Sequence, residues 1–493
     1  MEVVSRRAAR DARAPHLRPW ALIAGTLSFA GCGSSTLAPA PAGARDGAPG
    51  DVTGDLGSTI DVVGAKDVDG SSIGNVDDAG RLTDAADTSG TDVIDSSSLN
   101  EKMLLGYQGW FLCPGDGSSV NGWTHWFRNG SPTVANLNVD FWPDTSELAP
   151  DELFATSLTY AGGATAMLYS AFREKTVVRH FQWMKESGID GVVLQRFLGE
   201  IQDLRFFAAR NQVTANVRLG AETFGRVFAI EYDISTSAAN EARILEWLQT
   251  DWQYMVDTLR VTESSRYLRH KGKPVLLVWG FGFSDRAGTP AQAQTFIDWL
   301  KTTAAPRYQA TVVGGVPTNW RTATGDSKTD PAWASVYRSF DVISPWTVGR
   351  YALDVEVDNF KTNYIVPDLA EATRVGAEYM PVVFPGFSWH NLNGGPTNQI
   401  PRRGGRFYWR QVYNAVSAGA KFLKTAMFDE VDEGTAMYKV APSVDRLPAQ
   451  GTFVTLDADG IALPSDWYLR LGGQVSRLLR QEIPPSVDPP ITP

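Results

Sequence analysis

Phe422-Leu423-Lys424-Thr425-Ala426-Met427-Phe428 runs directly into Asp429-Glu430-Val431-Asp432-Glu433-Gly434-Thr435. The first seven residues read as a short strand, and the next seven as the loop leaving its C-terminal end. In an α/β barrel that end of a strand is where chemistry sits. Two carboxyls three positions apart, Glu430 and Glu433, suit acid/base work on a glycosidic bond, which needs one protonated and one ionised group. Four acids within five positions also repel one another, which raises at least one pKa if the loop is partly buried. A solvated acidic loop or a cation site fits the same spacing.

Working outward from this strand, other short apolar runs recur between helical stretches. They are Leu104–Trp110, Gly191–Arg196, Arg226–Asp233, Pro274–Gly280, Thr311–Val316, Asp341–Trp346 and Met380–Phe384. With Phe422–Phe428 they make eight. Helical patterns fall at Thr176–Ser187, Ala238–Arg260, Pro290–Thr303, Pro331–Arg338, Val366–Val375 and Phe407–Ala418, with Ser465–Arg480 closing the domain. This alternation predicts parallel strands with crossover helices, hence a (β/α)8 TIM barrel with long βα loops. A ninth run, Ala166–Ser170, is expected outside the barrel, and Pro484–Pro493 as a loose tail.

Several polar and aromatic residues stand at or just beyond the predicted strand ends. They include Trp110, Gln195, Arg196, Glu231, Tyr232, Asp233, Trp279, Trp320, Trp346, Trp389 and His390. Pyranose faces stack on rings and hydroxyls need directed hydrogen bonds, so such a rim suits a sugar cleft, although tryptophan also packs cores. The chain has no Gly-Xaa-Ser-Xaa-Gly elbow, no His-Glu-Xaa-Xaa-His and no phosphate loop. His180, inside a helical stretch, reads as a packed or capping residue.

The N-terminal region is different in kind. Arg6, Arg7, Arg10, Arg13 and Arg18 precede an apolar run from Ala21 that closes on Phe29-Ala30-Gly31-Cys32. This reads as a lipoprotein signal over 1–31, cut before Cys32, whose thiol would carry lipid. A plain secretory signal is the other reading. Gly33 lacks the Asp of an inner-membrane retention signal, so the expected location is the outer membrane or cell surface. Residues 32–99 are expected to be a disordered linker, because from 33 onward they hold twelve Asp and no Phe, Trp or Tyr. Its Asp67-Val68-Asp69-Gly70 lacks a full calcium-loop pattern. Residues 1–32 carry +3 and 33–99 carry −9 of the total −10, leaving −4 for the rest. So mild a charge gives no nucleic-acid surface. Only Cys32 and Cys113 exist, so with Cys32 lipidated no internal disulfide can form and a large core must stabilise the domain, placed at 100–482 before a Pro-rich tail at 483–493.

Across most of 101–440 the chain resembles glycoside hydrolase family 99, the retaining endo-α-mannosidase group, and more loosely family 71. Asp429-Glu430-Val431-Asp432-Glu433-Gly434-Thr435 is similar to the family's Asn-Glu-Trp-Xaa-Glu-Gly-Thr, with Asp and Val replacing Asn and Trp. Pro385-Gly386-Phe387, then Arg402 or Arg403, Gly405 and Phe407-Tyr408, look like its Pro-Gly-Tyr and Arg-Xaa-Xaa-Gly-Xaa-Tyr-Tyr. His125-Trp126 looks like its His-Trp, His180-Phe181 to Leu194 like its first helix and second strand, and Glu231 like the acid ending its third strand. The opening Gly106-Tyr107-Gln108-Gly109-Trp110 differs from the family's Tyr-Xaa-Trp-Tyr.

The resemblance implies a glycosidase acting on an α-mannan-like polysaccharide or oligosaccharide through a 1,2-anhydrosugar. Glu430 would be the base at the sugar's 2-hydroxyl and Glu433 the acid/base. Trp110, His125, Trp126, Glu231, Tyr232, Trp279, Trp346, Trp389, His390, Arg403 and Tyr408 are the expected substrate-binding residues. No metal or cofactor is expected, and the partners are a glycan and, through the lipid, the outer membrane; the protein is expected to be a monomer. The alternatives are a non-catalytic carbohydrate-binding lipoprotein, or a glycosidase for another glycan of the xylan or arabinan type.

Overall fold

A computed structural model describes residues 93–493. The expected signal, Cys32 and most of the expected linker lie outside the described residues. Residues 93–99, placed in the linker on sequence grounds, instead pack on the barrel. Leu99 is fully buried, Ile94 N donates to Gly225 O at 2.9 Å, and Arg269 N donates to Ser96 O at 2.7 Å. One buried leucine and a few backbone bonds suffice to seat a segment that has no aromatic residue.

The domain begins with β1 (Met103–Tyr107), followed by a long excursion containing an antiparallel hairpin of β2 (Leu153–Thr159) and β3 (Thr165–Tyr169). Then come α1 (Glu174–Glu186), β4 (Gly191–Phe197), α2 (Leu204–Phe224), β5 (Val227–Asp233), α3 (Ile244–Asp257), β6 (Arg269–His270), β7 (Lys273–Trp279), α4 (Pro290–Asp298), β8 (Thr311–Val316) and α5 (Ala332–Tyr337). The last third holds β9 (Val342–Pro345), α6 (Asp354–Phe360), α7 (Val366–Arg374), β10 (Glu378–Tyr379), β11 (Val382–Val383), α8 (His390–Asn393), α9 (Arg406–Ser417), β12 (Leu423–Thr425) and α10 (Trp467–Leu479).

The main sheet runs β10-β9-β8-β7-β5-β4-β1-β12-β11, each neighbour parallel, with β6 beside β7. Only Met380 and Pro381 separate β10 from β11. Met380 N donates to Ile343 O on the β9 side at 2.9 Å, whereas Pro381 O accepts from Lys424 N on the β12 side at 3.1 Å. Pro381 has no N–H to donate, which is why the stave is interrupted there. One chain segment therefore ends the sheet on both sides, and the eight staves form a (β/α)8 barrel. The β2–β3 hairpin stays outside it, as expected for Ala166–Ser170.

Staves covered on both faces should be mainly apolar, and β4 is buried at all seven positions, Gln195 and Arg196 at its C-terminal end included. At its start Gly191 is required, because a Cβ there would lie 1.9 Å from Val227 O. The helix layer meets the same demand for closeness at α2, where a Cβ on Gly220 would fall 2.5 Å from the Phe181 ring of α1. Asp203 caps α2 through Arg205 N at 2.8 Å and Gly225, at φ 64°, ends it. At the barrel base, buried Asp190 joins the first stave to the last helix. It accepts from Met103 N at 2.8 Å and Ser476 Oγ at 2.7 Å, and pairs with Arg480. Beyond α10, Trp409 Nε1 donates to Ser486 O at 2.9 Å in the C-terminal segment.

Candidate active site

Past Thr425 the chain leaves β12 and folds the acidic loop over the barrel mouth. Buried Arg402 fastens it, donating from Nη2 to Gly434 O and Ala436 O at 2.8 Å each, with its guanidinium 4.4 Å from the Phe141 ring centroid and 4.6 Å from that of Tyr468. Burial pushes the Arg402 pKa down to about 10. Gly434 sits at φ 69°, where a Cβ would be 2.7 Å from Ser388 N. Val431, which replaces the Trp of the resembled motif, is fully buried, and its carbonyl accepts from Asp140 N and Phe141 N. Asp429 accepts from Gln108 N at 2.7 Å and Gly109 N at 2.9 Å, which ties the end of β1 to the loop. Burial raises its pKa to about 7, against those two hydrogen bonds.

Glu430 and Glu433 share a sign of shift but not an environment. Burial, then Glu433 and Asp432, raise Glu430 well above the usual carboxylate range. Gln108 Nε2 and Thr435 Oγ1 donate to its two oxygens and favour its charged form. Glu433 is half-buried, and no hydrogen bond reaches its carboxyl among the described residues. Burial and the Asp432 charge push it up to about 8, with Arg286 opposing and Asp233 adding to the rise. Burial and mutual repulsion therefore favour a proton on these acids at neutral pH, and the hydrogen bonds to Glu430 single it out as the one whose charged form is supported.

His125 and Trp110 form one wall. Their rings stack at 3.8 Å and 8°, and Trp110 stacks in turn on Phe197 at 4.9 Å. His125 lies 3.5 Å from Asp432 and 3.6 Å from Glu200. Trp279 and Trp346, half-buried and 5.6 Å apart, form another wall, with the Arg286 guanidinium 5.3 Å from the Trp279 ring centroid. Trp389 is also half-buried, packed against Phe387. The indole nitrogens of Trp110, Trp279 and Trp389 have no hydrogen-bond partner among the described residues.

Other residues expected at the substrate are engaged elsewhere. Glu231 is buried in the barrel lumen, paired with Lys424 and accepting from Gln195 Nε2 at 2.5 Å. Tyr232 faces the helix layer and donates to Asp251 at 2.6 Å, because strand residues alternate in direction and Glu231 takes the inner side. Trp126 is fully buried and donates to Tyr169 O at 3.0 Å. Tyr408 is buried with its hydroxyl 2.9 Å from Thr425 Oγ1. His390 is bound at its ring by Gly395 O, 2.9 Å from Nδ1, and at its backbone by Asp140. Arg403 turns to Asp354 at 2.8 Å and Ala352 O at 2.8 Å, so Arg402 rather than Arg403 serves the acidic loop.

Gln108, Glu200 and Arg286 also belong to this constellation without an expected role, and Asp432, expected there as one of four mutually repelling acids, faces His125. Gln108 lies within the expected strand Leu104–Trp110 and, in the structure, directly after β1, so its place near a stave end was a usable signal. Arg286 lies in an irregular β7–α4 loop, where no periodicity marks it.

No protein-family model matches the chain, and no curated protein matches it. Among solved structures it is similar to the GH99 endo-α-mannosidase from Bacteroides thetaiotaomicron, with a TM-score of 0.56 and 15% identity over 78% of this chain and 99% of that one. The same enzyme in complex with bis-tris-propane gives the same values. A glycoside hydrolase-like protein is similar at a TM-score of 0.47 and 13% identity, covering 78% of this chain and 95% of that one. The (β/α)8 barrel is thus the fold shared with the Bacteroides thetaiotaomicron GH99 endo-α-mannosidase.

Proposed function

We propose that the protein is a retaining glycoside hydrolase acting on an α-mannan-like polysaccharide or oligosaccharide. The observation that carries this reading is the contrast between two neighbouring acids at the barrel mouth. Both are raised by burial and by their acidic neighbours, but Glu430 accepts from Gln108 and Thr435, which favour its charged form, whereas the half-buried Glu433 carboxyl accepts no hydrogen bond among the described residues.

In the first step Glu430 takes the proton of the sugar's 2-hydroxyl. That oxygen attacks the anomeric carbon while the glycosidic oxygen leaves with the proton of Glu433. In the second, ionised Glu433 deprotonates a water that attacks the anomeric carbon and opens the 1,2-anhydro ring, and O2 regains its proton from Glu430. The half-buried rings of Trp279, Trp346 and Trp389 offer surface for pyranose stacking, whereas Trp110 is itself stacked on His125 and Phe197. The protein works as a monomer, held at the outer membrane or cell surface by lipid on Cys32.

The test is a panel of α-mannan, β-mannan, xylan and arabinan, with the anomer first released followed by NMR. Release from α-mannan with retained configuration is expected. Binding of a glycan with no cleavage of any would instead make the protein a carbohydrate-binding lipoprotein.

A further inference from the structure

Asp432 lies between the two acids in sequence, yet the proposed reaction gives it no step. One of its oxygens, Oδ1, is buried without a hydrogen-bond partner among the described residues, and the other faces His125 Nδ1 at 3.5 Å. His125 is held from three further directions. Its Nε2 is 3.6 Å from Glu200, whose carboxylate is bound by Arg210 at 2.7 Å, and its ring lies flat on Trp110 and edge-on to Phe111. Its backbone is at φ 61°, a conformation that histidine, asparagine and aspartate enter more readily than most residues. Such a ring is placed rather than merely packed.

We propose that His125 and Asp432 form a positioning pair for the two acids. The imidazolium, bridged between Glu200 and Asp432, fixes the Asp432 carboxylate beside Glu430 and Glu433, and that negative charge keeps the proton on Glu433. The inference rests on the hydrolase reading and deepens it by naming what maintains the acid. The groups acting on the pair are Glu200 and Arg210 on one side and Glu430 and Glu433 on the other. Arg286 and Asp233 act on Glu433 from the β5 and β7 ends. Burial lowers His125, but Asp432 and Glu200 outweigh it and raise it. Burial works against charge on Glu200 as well, yet Arg210 and His125 hold it at about 2. The Asp432 charge is the largest cause after burial for the rise of Glu433. His125 and Asp432 touch no reacting atom in this scheme, so they are positioning residues.

The test is an NMR titration of the full chain with labelled histidine and glutamate, comparing the parent with Asp432→Asn. Spectra of His125→Asn and Glu433→Gln assign the two signals. Removing the Asp432 charge should lower the titration of His125 by about one pH unit and that of Glu433 by about one unit, as expected for a single partner charge within a few Å. Asp432→Ser carries the same test should the Asn variant fail to fold. The alkaline limb of kcat/KM should move down with Glu433, which a purely structural role for Asp432 would leave in place. An unmoved His125 or an unmoved Glu433 overturns the proposal. Both titrations are read without substrate, so their failure is distinct from failure of the hydrolase reading, which is decided on the glycan panel.

Discussion

Glu430 and Glu433 differ in what touches them, and so should differ in how they fail. Loss of a general acid matters least when the leaving group is already good, whereas loss of O2 activation affects every substrate. Glu433→Gln should therefore retain far more activity on an activated aryl glycoside than on a natural glycan. Glu430→Gln should lose roughly 10²-fold or more on both, the scale of a positioned proton-transfer group. Initial rates on the two substrate types check this, and parent rates in both variants would remove the assignment. The pH dependence follows from the same residues. Glu433 is protonated below about 8, so kcat/KM should fall as pH rises through that value. The sign for stability runs the same way. An acid whose folded pKa lies above its unfolded one stabilises the fold below the unfolded pKa, and loses that contribution as pH rises through the folded one. Glu433→Gln should then melt roughly 1–3 °C above the parent at pH 9 and no higher at pH 4, a difference that thermal scans at the two pH values would detect.

At the level of elements, the acidic loop depends on a segment well upstream in the chain. Arg402, just before α9, holds it through two carbonyls and is sandwiched by Phe141 and Tyr468. Arg402→Met should cost about 1–3 kcal/mol, since two buried carbonyls lose donors while a buried charge is relieved. Its activity should fall further than its stability. Arg403→Met, which frees a largely exposed Asp354, should stay within about 1 kcal/mol and keep near-parent rates. Urea melts with parallel assays test the contrast. The pair also shows what sequence could and could not reveal. The staves were legible because residues buried on both faces leave short apolar runs, as in Gly191–Leu194 of β4. The 21-residue α2 was missed, since Arg210, Thr214 and Asn216 sit on its buried side and blur the apolar stripe. The acids were legible from their strand end and from the resemblance. Which of Arg402 and Arg403 turns inward was not, because adjacent residues share a motif but not a direction. The inward turn of Glu231 onto Lys424 joins β5 to β12 across the lumen, a contact no local pattern encodes.

For the whole molecule, the proposed anchor and the barrel make separable claims. If lipid on Cys32 attaches the protein, Cys32→Ser should move it from the membrane to the soluble fraction or stall its maturation, without altering its rate on a soluble glycan. Unchanged fractionation would remove the lipoprotein reading and leave the barrel chemistry intact. The order of the staves has a further consequence. β1 lies between β4, the next stave in the chain, and β12, where Met103 meets Leu423. During synthesis one edge of the first stave is covered early, while the other keeps unpaired backbone groups until nearly the whole chain has emerged. Such an edge invites association with other nascent chains, so ribosome-bound intermediates should depend on a holding factor late into translation. The stave that finally covers this edge is the one that delivers Glu430 and Glu433. Closure of the ring and arrival of the acids are therefore the same event, and a chain arrested before residue 423 has neither.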